Sequence, residues 1–130
     1  MVDFKQKEKY DINDLLEIMR LLRAPGGCPW DAQQTHMSIR KNLIEETYEV
    51  IEAIDKDDKE LMTEELGDLL MQVVFHAQIE QEAGNFDFGD VTDGVCKKLI
   101  ERHPHVFGEV EVSGVGDVLN NWDAIKRRSK

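Results

Sequence analysis

Residues 45–68 read EETYEVIEAIDKDDKELMTEELGD, which sets Glu46 and Glu49 on one helical segment, Glu65 and Asp68 on the next, and a short charged turn between them. Acids three positions apart on a helix share a face, because about 3.6 residues per turn returns i and i+3 to the same side with Cβ atoms about 5–6 Å apart. Two such pairs on neighbouring antiparallel helices converge into one group of carboxylates. That group repels itself unless protons or cations neutralise it, and an all-oxygen donor set suits Mg²⁺ or Mn²⁺ rather than zinc. The chemistry expected here is a magnesium site that handles phosphates.

Holding these acids in place requires helices on both sides of the turn. Upstream, Ile12, Leu15, Leu16, Met19 and Leu21 or Leu22 recur at spacings of three and four, so a first amphipathic helix is expected from about Tyr10 to Arg23. APGGCPW at 24–30 breaks it into an irregular loop. The second helix has three competent starts: Asp31 with Gln34 as a capping box, Thr35, or Ser38. It runs to about Asp55, with Leu43, Thr47, Val50, Ile51 and Ile54 as its apolar stripe. Asp57, with Glu60 three residues later, is expected to cap a third helix that ends at Gly84-Asn85. Its middle, LGDLLMQVVFHAQI from Leu66 to Ile79, is apolar on nearly every side, as expected of a helix buried in an oligomer.

Asp90 caps a fourth helix that Pro104 stops near Arg102. GEVEVSGVG at 108–116 reads as a mobile loop, or as a short strand at Val110 and Val112, before Asp117 caps a last helix from Val118 to Arg128. The expected fold is all-α: a bundle of four to five helices forming a single domain, residues 1–130.

The formal charge of -11 narrows the partners. Such a chain presents no basic footprint for nucleic acid or an anionic membrane, so a phosphate-bearing ligand must bind through local cations or a bridging metal. A small nucleotide carrying Mg²⁺ fits that condition better than a polynucleotide. Cys28 and Cys96 lack any CxxC-type spacing and read as reduced thiols. MVDFKQKEKYD is polar and no apolar run reaches the ~18 residues of a membrane span, so a cytoplasmic protein is expected.

The acids separate by context. Glu52, Glu60, Glu64, Glu80 and Glu82 read as ordinary solvated charges. Asp68 differs because it sits among Leu66, Leu69, Leu70 and Met71, and acids are seldom buried without a partner. Gly67 beside it costs about 1 kcal/mol in a helix interior relative to alanine, which either close helix packing or the approach of a ligand or partner backbone would explain. Among the cations, Lys98 and Arg102 are i and i+4 on the fourth helix, and Lys126 follows Trp122 at the same spacing on the fifth. Taken alone they read as solvated charges and a packing anchor. His36 and His76 stand alone in the sequence, His76 as a core or interface residue, and His103 to His105 (HPH) reads as a turn element. Arg127, Arg128 and Lys130 read as a solvated terminus.

GCPWDAQQTHMS at 27–38, LIEETYEV at 43–50, EELGDLLMQVVFHAQ at 64–78 and RHPHVFGEV at 102–110 together resemble the MazG family of nucleoside triphosphate pyrophosphohydrolases, within the all-α NTP pyrophosphatases. The likeness covers nearly the whole chain after Ile12. It implies hydrolysis of an NTP or dNTP between the α and β phosphates, giving the monophosphate and pyrophosphate. The family pattern Glu-Glu-x-x-Glu then Glu-x-x-Asp falls on Glu45, Glu46, Glu49, Glu65 and Asp68. By this resemblance Glu46, Glu49, Glu65 and Asp68 hold Mg²⁺, for which Mn²⁺ can substitute, and Glu45, Glu46 and Glu49 form the catalytic set, with Glu45 orienting water or a basic residue. Phosphate and nucleotide contacts fall on Lys98, Arg102, Asn121, Trp122 and Lys126. Many members carry two tandem copies of the domain, which here implies a homodimer or higher oligomer closing each site with helices from more than one subunit. Two rivals remain at this point: a hydrolase narrow for one non-standard pyrimidine nucleotide, and a catalytically silent nucleotide-binding module that signals through oligomerisation.

Overall fold

Local capping chemistry decides where the first long helices start. Asp11 and Asp14 exchange hydrogen bonds between side chain and backbone N–H at 3.1 and 2.8 Å, opening α1 (Ile12–Arg23). The chain then turns through Gly26 and Gly27, and a Cβ on Gly27 would lie 2.1 Å from the Leu21 carbonyl oxygen, so only glycine fits there. Pro29 starts a single turn, α2 (Pro29–Gln33), inside the stretch expected to be loop. Proline is preorganised for a first helical position and has no N–H to leave unpaired, which the loop reading overlooked.

Of the three starts open to the next helix, Thr35 is the one used. Its hydroxyl accepts from the Ser38 N–H at 3.2 Å and Ser38 Oγ accepts from the Thr35 N–H at 2.8 Å, opening α3 (His36–Asp55). The charged turn differs by one residue from expectation. Asp57 takes a left-handed conformation (φ 51°), which aspartate tolerates better than most residues, and Asp58 therefore caps α4 (Lys59–Glu82) by accepting from the Leu61 N–H at 3.0 Å.

Three further helices follow: α5 (Phe88–Arg102), α6 (Pro104–Phe107) and α7 (Val115–Arg128). Pro104 ends α5 as expected but also begins α6, by the same logic as Pro29. Helix α7 starts before Asp117, whose carboxylate instead accepts from the Ser113 N–H and hydroxyl at 3.0 and 2.7 Å. The computed structural model describes residues 1–128, and all regular structure among them is helical, with no strand at Val110 or Val112. The expected four to five helices correspond to the five long ones, with α2 and α6 as added single turns. Arg127 and Arg128 are exposed; Lys130 lies outside the described residues.

The chain divides into two compact units, Met1–Phe88 and Gly89–Lys130. In the first, α3 and α4 form a helical hairpin against which α1 packs. Met19, Ile39, Val74 and Phe75 are its buried centre, with Leu15, Leu16, Ile79 and Phe88 around them. Arg23 ties this unit together: its guanidinium pairs with Glu82 at 2.8 Å, donates to the Asp31 and Gln34 carbonyls, and lies 5.3 Å from the Phe75 ring centroid. Large apolar side chains remain exposed along the hairpin, among them Ile44, Tyr48, Ile51, Ile54, Leu66, Leu70 and Met71. In the second unit Ile125 of α7 is buried. Among the described residues no helix is long and apolar enough to cross a membrane.

Candidate functional site

Helix α3 contributes Glu46 and Glu49 and helix α4 contributes Glu65, and one carboxylate oxygen from each lies within 4.8 Å of the others. A second set of three, Glu64, Glu65 and Asp68, meets the same limit, so Glu65 belongs to both. Glu65 thus joins the Glu46/Glu49 pair of α3, and Asp68 enters the cluster through Glu64 and Glu65 on its own helix. Glu64 is an addition, since its place on α4 had read as a solvated charge. Glu45 lies outside both sets, exposed, with its carboxylate 3.9 Å from Lys41 Nζ.

The electrostatics of the cluster are those of an unneutralised group. Glu65 is pushed up to about 7, first by a hydrogen-bonding approach to the Glu49 carboxyl, then by burial and the charges of Glu49 and Glu46. Burial raises Glu46 above the usual carboxylate range, with the charges of Glu49 and Asp68 adding to it. Glu46 Oε2 and Glu65 Oε2 are shut off from solvent with no hydrogen-bond partner among the described residues. Shielded oxygens that lack donors, in an all-carboxylate set, fit a hard divalent cation. Gly67, between Glu65 and Asp68, has open space where a Cβ would stand, so close packing within this chain does not account for it.

A second polar node links the same two helices. His36 Nδ1 and His76 Nδ1 are 2.7 Å apart, the ring planes are nearly parallel, and His36 Nε2 lies 2.7 Å from Glu80 Oε2. His36, which stands alone in the sequence, and Glu80 and Glu82, expected as solvated charges, therefore all have partners: His76 and Glu80 for His36, and Arg23 for Glu82. The missed signal was spacing: His76 and Glu80 are i and i+4 on α4, and both face the first turn of α3.

In the second unit, Lys98 is exposed on α5, Arg102 is half-buried with its guanidinium 5.3 Å from the Trp122 ring centroid, and Asn121 and Trp122 are half-buried on α7 ahead of exposed Lys126. Arg102 and Trp122, read from the sequence as a solvated charge and a packing anchor on separate helices, thus meet as a cation–indole pair.

Comparison with known proteins decides the family. The model for the MazG nucleotide pyrophosphohydrolase domain matches residues 34–107, more than half of the chain. The chain belongs to the MazG family. Similar relatives are YabN of Bacillus subtilis, 49% identical over 93% of this chain, the Nucleoside triphosphate pyrophosphohydrolase/pyrophosphatase MazG of Thermotoga maritima, 51% over 90%, and the Nucleoside triphosphate pyrophosphohydrolase of Escherichia coli K12, 48% over 92%. The chain spans 25% of YabN and 44% and 46% of the other two. The crystal structure of a mazG-related protein from Thermotoga maritima superposes with a TM-score of 0.73 at 29% identity, covering 89% of this chain and 99% of that one. The stretch matched by the MazG model contains all the clustered acids, Lys98 and Arg102; Asn121, Trp122 and Lys126 follow it.

Proposed function

We propose that this MazG domain hydrolyses nucleoside triphosphates, NTP or dNTP, to the monophosphate and pyrophosphate in a Mg²⁺-dependent reaction, as a single catalytic domain with a house-cleaning role in the cytoplasmic nucleotide pool. The observation that carries the reading is the convergence of Glu46, Glu49 and Glu65 with two shielded, partnerless oxygens. Glu46, Glu49, Glu65 and Asp68 would hold the cation, with Mn²⁺ as a substitute. When bound, Mg²⁺ supplies neutralisation of both carboxylates and triphosphate and activation of water. Glu45 orients the attacking water or a basic residue, for which Lys41 on the same face is available. Lys98, Arg102 and Lys126 contact phosphate oxygens, and Asn121 and Trp122 contact the nucleoside. The names of the relatives support the substrate class, and the charge of -11 makes a metal-bridged small anion more favourable than a polynucleotide. The exposed apolar residues of α3 and α4 support a homodimer or higher oligomer.

The test is a panel of NTPs and dNTPs with Mg²⁺, following pyrophosphate and monophosphate. Orthophosphate as the direct product, or full activity in Asp68→Ala or Glu49→Ala, would overturn the proposal.

A further inference from the structure

The corner between α5 and α6 holds side chains to which the roles above give no part. His103 closes α5 and opens α6. Its Nδ1 lies 2.6 Å from the Leu99 carbonyl oxygen, and its own carbonyl accepts from the Val106 and Phe107 N–H groups at 3.0 Å. A carbonyl only accepts, so the neutral ring carries its proton on Nδ1, and ring and backbone are both tethered. Gly108 tightens the same corner, since a Cβ there would lie 3.0 Å from the Pro104 carbonyl oxygen.

Trp122 rests against this fixed ring. The His103 and Trp122 centroids are 5.1 Å apart with planes at 74°, an edge-to-face pair, while Arg102 stands 5.3 Å from the same indole. His105 lies 5.5 Å from His103. Arg102 Nε and His105 Nδ1 are both shielded from solvent without a hydrogen-bond partner among the described residues, so the corner offers polar groups open to a ligand. An indole is free to turn about two side-chain torsions, and stacking on a base requires one orientation. The edge contact with a doubly tethered ring restricts that freedom before any ligand arrives, and preorganisation of this kind is expressed as affinity.

We propose that His103 is a positioning residue for nucleotide binding, setting the plane of Trp122, against which the Arg102 guanidinium stands, for a nucleobase. The inference rests on reading Trp122 and Arg102 as nucleotide contacts. It adds that the orientation of the indole comes from the HPH segment, which otherwise looks like a simple turn.

The experiment compares His103→Ala, His103→Phe and Trp122→Ala for pyrophosphate release and melting temperature, all assayed well below the transition. His103→Ala is expected to raise KM by about two- to tenfold, the range of an edge-to-face aromatic pair, with kcat unchanged, and His103→Phe to restore KM by restoring the ring edge. In a Trp30→Phe background, where Trp122 is the remaining indole, His103→Ala should shift the Trp122 emission. Should His103→Ala fail to fold, the KM of His103→Phe and its Trp122 emission, both near wild type, carry the expectation. Normal KM in His103→Ala beside a raised KM in Trp122→Ala overturns the inference alone, as does a KM in His103→Phe no better than in His103→Ala. Normal KM in Trp122→Ala overturns the reading beneath it.

Discussion

Helices α3 and α4 are joined by two polar groups of opposite character. Toward the turn, Glu46, Glu49 and Glu65 bring like charges together and leave two shielded oxygens without donors. Toward the other end, Glu80, His36 and His76 form a chain in which the facing atoms are 2.7 Å apart and can alternate as donor and acceptor. Hydrogen bonding also holds Glu80 below the usual carboxylate range, first through Asn85 and then His36. The histidine node pairs its facing atoms within the fold and leaves only the far ring nitrogen, His76 Nε2, shielded without a partner among the described residues, whereas the acid node gathers like charges with no cation or donor among them. A polar group that a fold leaves unsatisfied is destabilising on its own, and a ligand supplies the missing partners. The acid node therefore has the character of a binding site and the histidine node that of a pin.

The largest expected effect breaks the acid node. Glu65→Gln should lower pyrophosphate release by about 100-fold or more, the scale on which loss of a directly placed catalytic group acts. In the metal-free protein the same substitution should raise the melting temperature above pH 7, because an amide replaces a crowded carboxylate. Loss of activity with gain of stability is what distinguishes a site from a structural cluster. A fall in both would make the acids structural.

The converse applies to the histidines. His76→Ala removes the partner of His36 Nδ1 and should lower stability by about 1–3 kcal/mol, while kcat and KM per folded molecule stay at wild-type values. Denaturant unfolding with a parallel assay reads both. Altered kinetics at full folding would move the histidines out of the role of a pin.

Much of this contrast was legible in the sequence on one side and little on the other. Glu46 with Glu49 and Glu65 with Asp68 are carboxylates at the same i, i+3 spacing, so periodicity places each pair on one helix face, and the short turn between α3 and α4 brings Glu65 to the α3 pair. The histidine chain needs His36 at the start of α3 and His76 and Glu80 far along α4, with partners 40 and 44 positions apart. Spacing places His76 and Glu80 on one face of α4, but only the packed hairpin brings His36 to that face. The same limit hid the Arg23–Glu82 pair, 59 residues apart. Turn chemistry was partly legible. The acids of DKDD marked a cap, but the left-handed turn at Asp57 moved it to Asp58. Pro29 and Pro104 were read as breakers when each also starts a turn of helix. Asn121, Trp122 and Lys126 entered by resemblance alone, because spacing in a single helix does not reveal that Trp122 meets Arg102 and His103.

The two nodes also predict pH dependences of opposite sign. Glu65 is raised from 4.5 to about 7, so the folded metal-free protein binds more protons than the unfolded chain between these values. Its contribution to stability is complete below pH 4.5 and is lost as pH rises to about 7. His76 is lowered from 6.5, by burial and then by the charge of His36, so the unfolded chain binds the extra proton. Its contribution is present above pH 6.5 and is lost as pH falls below that. Thermal unfolding across pH should therefore lose its downward limb in Glu65→Gln and its acid-side loss in His76→Phe. Mg²⁺ should raise the melting temperature more at pH 8 than at pH 5, since binding requires the deprotonated cluster. An equal rise at both would remove the link between the raised Glu65 and the cation.

Gly67 gives the smallest and most discriminating expectation. A Cβ at this position meets nothing within 4 Å, in contrast to Gly27, where it would strike the Leu21 carbonyl oxygen at 2.1 Å. Gly27 is thus required by the fold, and Gly67 is not. Gly67→Ala should stabilise α4 by about 1 kcal/mol, the ordinary helix-propensity gain at an exposed interior position. The open face at Gly67, one residue before Asp68 and two after Glu65, leaves room for something outside this chain to come close to the helix backbone there. Triphosphate or a second copy of the hairpin would each be obstructed by the added methyl group. Higher melting temperature with reduced pyrophosphate release fits an approach at the acid node, and the change in sedimentation between wild type and variant separates a subunit from a substrate. Higher stability with unchanged activity and unchanged assembly would mean that the open face at Gly67 is not approached, and would confine the binding character of this end of the hairpin to the carboxylates themselves.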